Sequence, residues 1–437
     1  QMGLRGNIQV IKALDLIKDF NRMKYLIGNV QQGDAFHEEL TVEQELTNAA
    51  GMKLPRDTSK KEIADRVNMT LKQLGIENVR KNQIAKCSGG ERRRVNIGIE
   101  LVADRQLLCL DEPDAGLDPG NKKKLYETLR NLAHNEEKSI LTIIHDVSEI
   151  DLFDQMLVLN KVDNVGRLAF MGTPQEARKY FETDEIKDVY DIMEKIRENT
   201  FLRGMGQMND NLEKKPKRIG AFKEFKIFMT EYVQVIMGKK KDLLISLMFP
   251  VLAAAIVIWI AGENMFVHYD GTKSGSFVIV SAAIWGGLFN SIQTIVKDRK
   301  NIKRNYIAGA RIRCYTASRA FVQFVLCIIQ SAILTLSYVG VAIVYGNELP
   351  ETGILTNYPM VEFYISIFLL MYAADAMGIM ISCLVKKEEA ANVLAPYILI
   401  VQLIFSGILF AMEGMADYIS YVMISRWGME HLEVLPI

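Results

Sequence analysis

The sequence has no excess of either charge. Its 52 Lys and Arg are matched by 52 Asp and Glu over 437 residues, so its balance gives no pointer to nucleic acid. Cysteine is scarce, and Cys87, Cys109, Cys314, Cys327 and Cys383 show no paired spacing. That excludes a disulfide frame and a zinc site, and the five read as reduced thiols. No apolar signal-peptide core follows Gln1. Position 1 is not Met, so the chain is expected to begin partway into a longer polypeptide. Long apolar runs are missing from the first half, where the charges crowd, and appear in the second, which is the pattern of a membrane protein.

In the first half, Leu26-Ile27-Gly28-Asn29-Val30 fits a short strand, and Gln31-Gln32-Gly33-Asp34 a loop after it. Thr41 is placed to cap a helix. Ile63, Val67, Leu71 and Leu74 form a helical stripe. Ser88-Gly89-Gly90 then precedes a helical pattern from Glu91 to Ala103. Two glycines at a helix start let backbone amides approach an anion, and the helix dipole favours negative charge there. Taken alone, such a triplet is an ordinary turn.

Gln106 to Leu110 is a continuous apolar run that predicts a fully buried parallel strand. Asp111 and Glu112 follow at its C-terminal end, where open parallel sheets bind ligands. An Asp there can organise Mg²⁺, and the next Glu can orient or deprotonate a water; in isolation the pair is a solvated acidic turn. Ala115-Gly116-Leu117-Asp118 is a Gly turn with a further carboxylate. A second strand, Ser139 to Ile144, ends in His145-Asp146, and Leu157 to Leu159 gives another.

Together these elements resemble the nucleotide-binding domain of the ATP-binding cassette (ABC) proteins, in particular the G (White) subfamily. Cys87-Ser88-Gly89-Gly90-Glu91 matches the family signature, with Cys87 in place of the usual Leu or Val. Leu107 to Glu112 matches Walker B and the catalytic Glu. Ala115 to Asp118 matches the D-loop, His145 the switch histidine and Gln32 the Q-loop glutamine. The resemblance implies ATP and Mg²⁺ as ligands. Glu112, His145 and Gln32 are the catalytic candidates, and Ser88, Gly89, Gly90, Glu91 and Asp118 the nucleotide-contacting ones. Asp111 and Gln32 are the candidates for Mg²⁺. It also implies two cassettes meeting head to tail, so the signature turn of one copy closes over ATP held by another. One departure stands out: no G-x-x-x-x-G-K-[ST] string occurs. The expectation is that this phosphate loop lies upstream in a longer protein, because Asp111, Glu112 and His145 are intact.

In the second half, apolar stretches near 243–261, 277–296, 321–345, 363–385 and 393–412 are long enough to span a bilayer at about 1.5 Å per residue. Lys239 to Lys241, the segment Lys297 to Arg313, and Lys386-Lys387 carry the basic loop residues. The positive-inside rule puts all three on the cytoplasmic side, with the cassette. Residues 220–241 place Phe222, Phe225, Met229, Tyr232 and Val235 at helical spacing, which predicts an amphipathic helix at the membrane interface. The basic segment Lys297 to Arg319 is expected to form a helix that docks on the cassette. The family has six spans, so the sixth is expected beyond Ile437. Trp285, Phe289 and Phe405 are candidates for a substrate cavity, because the family places substrate between the second and fifth spans of two halves. Asn290 is a further candidate or else joins helices. Asp375, near the middle of the fourth stretch, either faces such a cavity or is structural, protonated or hydrogen-bonded to a neighbouring helix.

The expected fold class is an α/β P-loop-type cassette, its Walker A portion outside this chain, followed by an all-α polytopic membrane domain. The expected boundaries are 1–185 for the cassette, 186–219 for a linker with a basic cluster (Lys214, Lys215, Lys217, Arg218), 220–241 for the connecting helix and 242–437 for the membrane domain. The function expected is ATP-driven export of a lipid or hydrophobic small molecule by a dimeric half-transporter in the plasma membrane. The partner is a second half, in a homodimer or a heterodimer, with membrane lipid around it. The alternative is a membrane-anchored ATPase that regulates or transmits force without moving a substrate through its spans.

Overall fold

The computed structural model describes residues 9–11, 14–15, 27–136, 138–162, 165–189, 219–261, 269–345, 349, 357–408, 410 and 412–434. Residues 190–218, most of the expected linker and its basic cluster, lie outside the described residues. The chain divides into two units, Gln1–Gly220 with Arg304–Ala310, and Ala221–Lys303 with Arg311–Ile437.

The first unit is built on three parallel strands, β3 (Ile27–Val30), β4 (Leu107–Asp111) and β5 (Ser139–Ile143), in the order β3-β4-β5. Val30 pairs with Leu110, and Asp111 with Ile143. Two antiparallel pairs accompany them: β1 (Gln9–Ile11) with β2 (Leu14–Asp15), and β6 (Met156–Val162) with β7 (Val165–Gly172). The helices are α1 (Val42–Lys53), α2 (Lys60–Gln73), α3 (Gly89–Leu101), α4 (Pro119–Asn135) and α5 (Pro174–Tyr180).

Their starts are written in the sequence. Thr41, Ser59, Ser88 and Thr173 each accept a bond from the amide three residues on, where Gln44, Glu62, Glu91 and Glu176 bond back to the cap. Each such cap contributes on the order of 1 kcal/mol. Val30, Leu46, Leu71, Val95, Leu108 and Leu129 share one core.

The strands differ from expectation in one respect. A continuous apolar run predicts burial on both faces, but only Leu108 and Leu110 of β4 are fully buried. On β5, Leu141 and Ile143 are 49% and 56% exposed. Strand periodicity alternates side chains between faces, and among the described residues only one face of this sheet is packed.

The second unit is helical: α6 (Ala221–Gly238), α7 (Lys240–Ala261), α8 (Tyr269–Ser291), α9 (Thr294–Lys297), α10 (Arg299–Ile307), α11 (Ile312–Tyr345), α12 (Pro359–Leu384), α13 (Glu388–Ile404), α14 (Met415–Ser420) and α15 (Ile424–Val434). By the grouping above, the end of α10 counts with the first unit. Four of these helices are long and apolar enough to cross a membrane, over Lys240–Trp259, Thr272–Lys297, Ile312–Val344 and Pro359–Leu384. The fifth expected stretch, 393–412, is helical only as far as Ile404, in a helix of 17 residues. Gly407 then turns the chain with a φ of +86°.

Lys297 to Arg319 is not the single helix expected. It holds the end of α9, all of α10 and the start of α11. α10 stops because Gly309 takes a φ of +101°, its amide donating to Tyr306 and that of Ala310 to Asn305. This is a glycine-terminated helix end that a residue with a Cβ would strain.

The buried stripe of α6 also differs from expectation. Phe222 is 79% exposed, while Glu224, Phe228, Glu231 and Tyr232 are buried. The glutamates turn inward because each has a cation. Glu224 pairs with Arg311 at 3.0 Å, and Glu231 lies 3.6 Å from Arg319. Arg319 is itself 1% exposed, bonds Asp298 at 2.8 Å, and is flanked by the rings of Tyr232 and Tyr315. Ion pairing and cation–π contact thus hold Glu224 and Glu231 on the packed face of α6, beside Phe228 and Tyr232.

α8 and α12 form the closest seam. A Cβ on Gly287 would fall 2.0 Å from the carbonyl oxygen of Met371, and one on Gly378 would fall 2.2 Å from Ser291 Oγ. Small residues let helix backbones approach in this way.

Candidate functional site

The C-terminal ends of β3, β4 and β5 converge at one edge. Gln32 follows β3, Asp111 ends β4 with Glu112 directly after it, and His145 follows β5. Gln32 Nε2 donates to Glu112 Oε2 at 2.7 Å, and His145 Nε2 lies 2.7 Å from Glu112 Oε1. Gln32 and His145, more than a hundred positions apart, thus meet on one carboxylate. His145 is 76% exposed and Glu112 only 23%, so the carboxylate is the half-sheltered centre of an open cluster.

Glu112 has a φ of +44°, a conformation that costs a non-glycine residue about 1–3 kcal/mol and persists only where its surroundings impose it. Two restraints do so. The Glu112 amide donates to Ile143 O at 3.0 Å, extending the β5 pairing by one residue. Arg93 of α3, 5% exposed, donates to the carbonyls of Asp111 (3.3 Å), Glu112 and Pro113 (2.7 Å). Burial draws the Arg93 guanidinium below its ordinary value, against the raising effect of Asp34, Asp114, Asp111 and Glu112.

Lys122 of α4 is the second buried brace. It is 5% exposed and pairs with Asp114 at 3.2 Å and Asp146 at 2.5 Å, and it donates to Ser148 Oγ at 3.1 Å. It fastens the turn after Glu112 to the loop that carries His145. The Lys122 bond holds the Asp146 carboxyl below the usual range.

The signature residues form a second cluster at the start of α3. Ser88 and Gly89 are exposed, and Glu91 Oε2 accepts from both the amide and the hydroxyl of Ser88 at 2.9 Å. Gly90 is buried because the first turn of α4 presses on it: a Cβ there would lie 3.1 Å from Asn121. Asn121 in turn bonds both oxygens of Asp118, at 3.0 and 2.6 Å. These bonds hold the Asp118 carboxyl below its ordinary value. Arg93 links this helix to the Glu112 turn.

Arg93 and Lys122 were not among the residues singled out from the sequence. Their signal was position on the helix: Arg93 falls at helical spacing from the buried Gly90 and Ile97, and Lys122 from Leu125, Tyr126 and Leu129.

Of the cavity candidates, Trp285 and Phe289 stack at 4.8 Å on α8, 36% and 43% exposed. Asn290 is bonded to Gln330 at 2.5 Å. Phe405 is half-buried at the end of α13, and Asp375 is 0% exposed, enclosed between helices.

Comparison with known proteins agrees with this division. A family model described as "ABC transporter" matches residues 5–115, and one described as "ABC-2 type transporter" matches residues 225–435. The chain is similar to the ABC transporter ATP-binding/permease protein Rv1747 of Mycobacterium tuberculosis, 25% identical over 430 residues, covering 94% of this chain and 49% of that protein. It is also similar to ABC transporter G family member 26 of Arabidopsis thaliana, 35% identical over 168 residues, covering 37% of this chain and 24% of that one. The chain thus spans about half the length, or less, of the curated relatives it matches. Among solved structures, cbiO1 of Clostridium perfringens is 27% identical, with a TM-score of 0.31 over 40% of this chain and 70% of that one.

Proposed function

The chain belongs to the ABC transporters, with a cassette portion ahead of an ABC-2 type membrane portion, and on that premise we propose that it hydrolyses ATP to export a lipid or other hydrophobic small molecule. The observation that carries this reading is the cluster of Gln32, Glu112 and His145 at the open edge of β3-β4-β5. Ligands of open parallel sheets bind outside the carboxyl ends of the strands. Glu112, held in a strained conformation between an amide and an imidazole, is placed to orient a water and take its proton. His145 is placed to hydrogen-bond a phosphate oxygen.

Gln32 donates its amide N–H to Glu112, which leaves its amide oxygen, like the Asp111 carboxylate at the end of β4, as an oxygen donor that would suit a cation. This all-oxygen donor pair suits Mg²⁺, which when bound supplies charge neutralisation to the phosphates. Ser88 and Gly89 present the exposed start of α3, with Gly90 buried behind them, and Asp118 caps the start of α4. Both fit the nucleotide face of a second half-transporter, in a homodimer or heterodimer, with the cassettes in the cytoplasm and the spans in the plasma membrane. The basic segment Lys297 to Arg319 is the proposed route from nucleotide state to spans.

The test is reconstitution of the full-length protein in vesicles carrying a fluorescent phospholipid. ATP-dependent movement of the probe between leaflets, absent in Glu112→Gln, is expected. ATP hydrolysis with no movement of lipid or other amphiphile would replace export with the regulator or force-transmitter reading.

A further inference from the structure

Asp375 of α12 lies inside the membrane portion with an exposure of 0%. Neither of its carboxyl oxygens has a hydrogen-bond partner among the described residues. The groups around it come from four helices. On α8, the Ser291 hydroxyl donates to the backbone carbonyl of Asp375 at 2.7 Å. On α11, Cys327 is fully buried within electrostatic reach of the carboxyl. Tyr372, on α12 itself, and Tyr232, on α6, are in reach as well. Not one of these is a cation. A buried carboxylate ion without a partner is among the costliest arrangements a protein can hold, and in a membrane span it marks a site by default.

We propose that Asp375 is a proton-binding site, occupied while the α8–α12 seam is packed as it is here and open to exchange only when that seam parts. The chemistry is one reversible step: a proton from water forms an O–H bond on a carboxyl oxygen, and no other bond changes. A proton rather than a metal ion is the ligand because, among the described residues, Asp375 joins no group of His, Cys, Asp and Glu side chains able to hold a metal, and the seam on its helix is tightly packed. A single methyl group at Gly378 would already lie 2.2 Å from Ser291 Oγ and 2.9 Å from the carbonyl oxygen of Leu288. The neutral acid satisfies the packing with no counter-ion. The ion would draw in water, which the seam admits only by separating. This proposal does not depend on the ATPase reading, because it concerns the packing of the membrane portion itself.

Infrared difference spectroscopy of the full-length protein in lipid nanodiscs tests it. At neutral pH the wild type is expected to show a protonated-carboxyl C=O band that Asp375→Asn removes. Asp375→Glu should retain that band at a shifted frequency, so the assignment does not hang on one variant folding. In D₂O the wild-type band should shift slowly. Gly378→Ala, which wedges the seam, should accelerate that shift or abolish the band. A wild type without the band, or a band that survives Asp375→Asn, overturns the site. Exchange in Gly378→Ala as slow as in the wild type overturns the link to the seam.

Discussion

In the cassette portion the groups with chemistry stand at the open end of a sheet, and buried cations hold the backbone behind them. Arg93 and Lys122 are each 5% exposed, while His145 is 76% exposed. In the membrane portion the charges themselves are enclosed. Arg319, Glu231 and Asp298 are all buried together, and Asp375 is buried alone. The contrast separates two uses of buried charge. In the first unit it positions an accessible site; in the second it joins helices or holds a proton. Removing a brace should therefore cost turnover in the cassette portion and folding in the membrane portion.

The largest effect that sharpens this contrast is expected from Arg319→Leu. It leaves Asp298 and Glu231 buried without their cation, a loss of about 3–5 kcal/mol, to be read as a drop in thermal stability of the detergent-solubilised protein. If stability is unchanged, the Arg319 cluster is not the joint of α6 and α11.

Arg93→Ala comes next. With its carbonyl contacts gone, the Glu112 turn is free to relax, and ATP turnover should fall by roughly 10- to 100-fold, a misplacement effect of 1.4–2.7 kcal/mol on the usual conversion. Nucleotide binding, measured by fluorescence titration, should change far less. Arg93→Lys should not restore turnover, since one ammonium cannot reproduce the fork that reaches three carbonyls. Equal losses of binding and turnover would make Arg93 merely structural.

Ser88→Ala removes the cap of α3 and should lower cassette stability by about 1 kcal/mol, seen as a shift in denaturant midpoint.

The smallest effect concerns acid. Burial raises the Asp104 carboxyl, but its bonds to Lys138 (2.8 Å) and Arg66 (2.7 Å) outweigh that and hold it below the ordinary value. A carboxyl so held binds fewer protons folded than unfolded. Its stabilisation is complete above an ordinary Asp value of about 4 and is lost as pH falls through the lower folded value. Stability measured against pH in wild type and Asp104→Asn should converge at low pH. Curves that stay parallel would remove Asp104 from the account.

The strand edge was legible in the sequence because its residues are adjacent to apolar runs. Asp111 and Glu112 end one run, His145 ends another and Gln32 follows a third. The helix starts were legible because capping is local, as at Thr41, Ser59, Ser88 and Thr173. What was hidden depends on partners far along the chain. α6 presents an apolar stripe at Phe222, Phe225 and Met229, yet it turns Glu224 and Glu231 inward, because Arg311 and Arg319 arrive about ninety residues later. Arg93 and Lys122 stand in basic runs that read as solvated faces until their helical phase is compared with the buried residues beside them. The break at Gly309 was readable as a glycine, but ending a helix there needs the positive φ that only the backbone reveals.

The central claim, that the Glu112 cluster is the hydrolytic centre, is tested most directly by single-turnover ATP hydrolysis in purified full-length wild type and Glu112→Gln. At least a ~100-fold slower hydrolysis step is expected in the variant, with ATP still bound and retained. Hydrolysis at the wild-type rate in Glu112→Gln would contradict it.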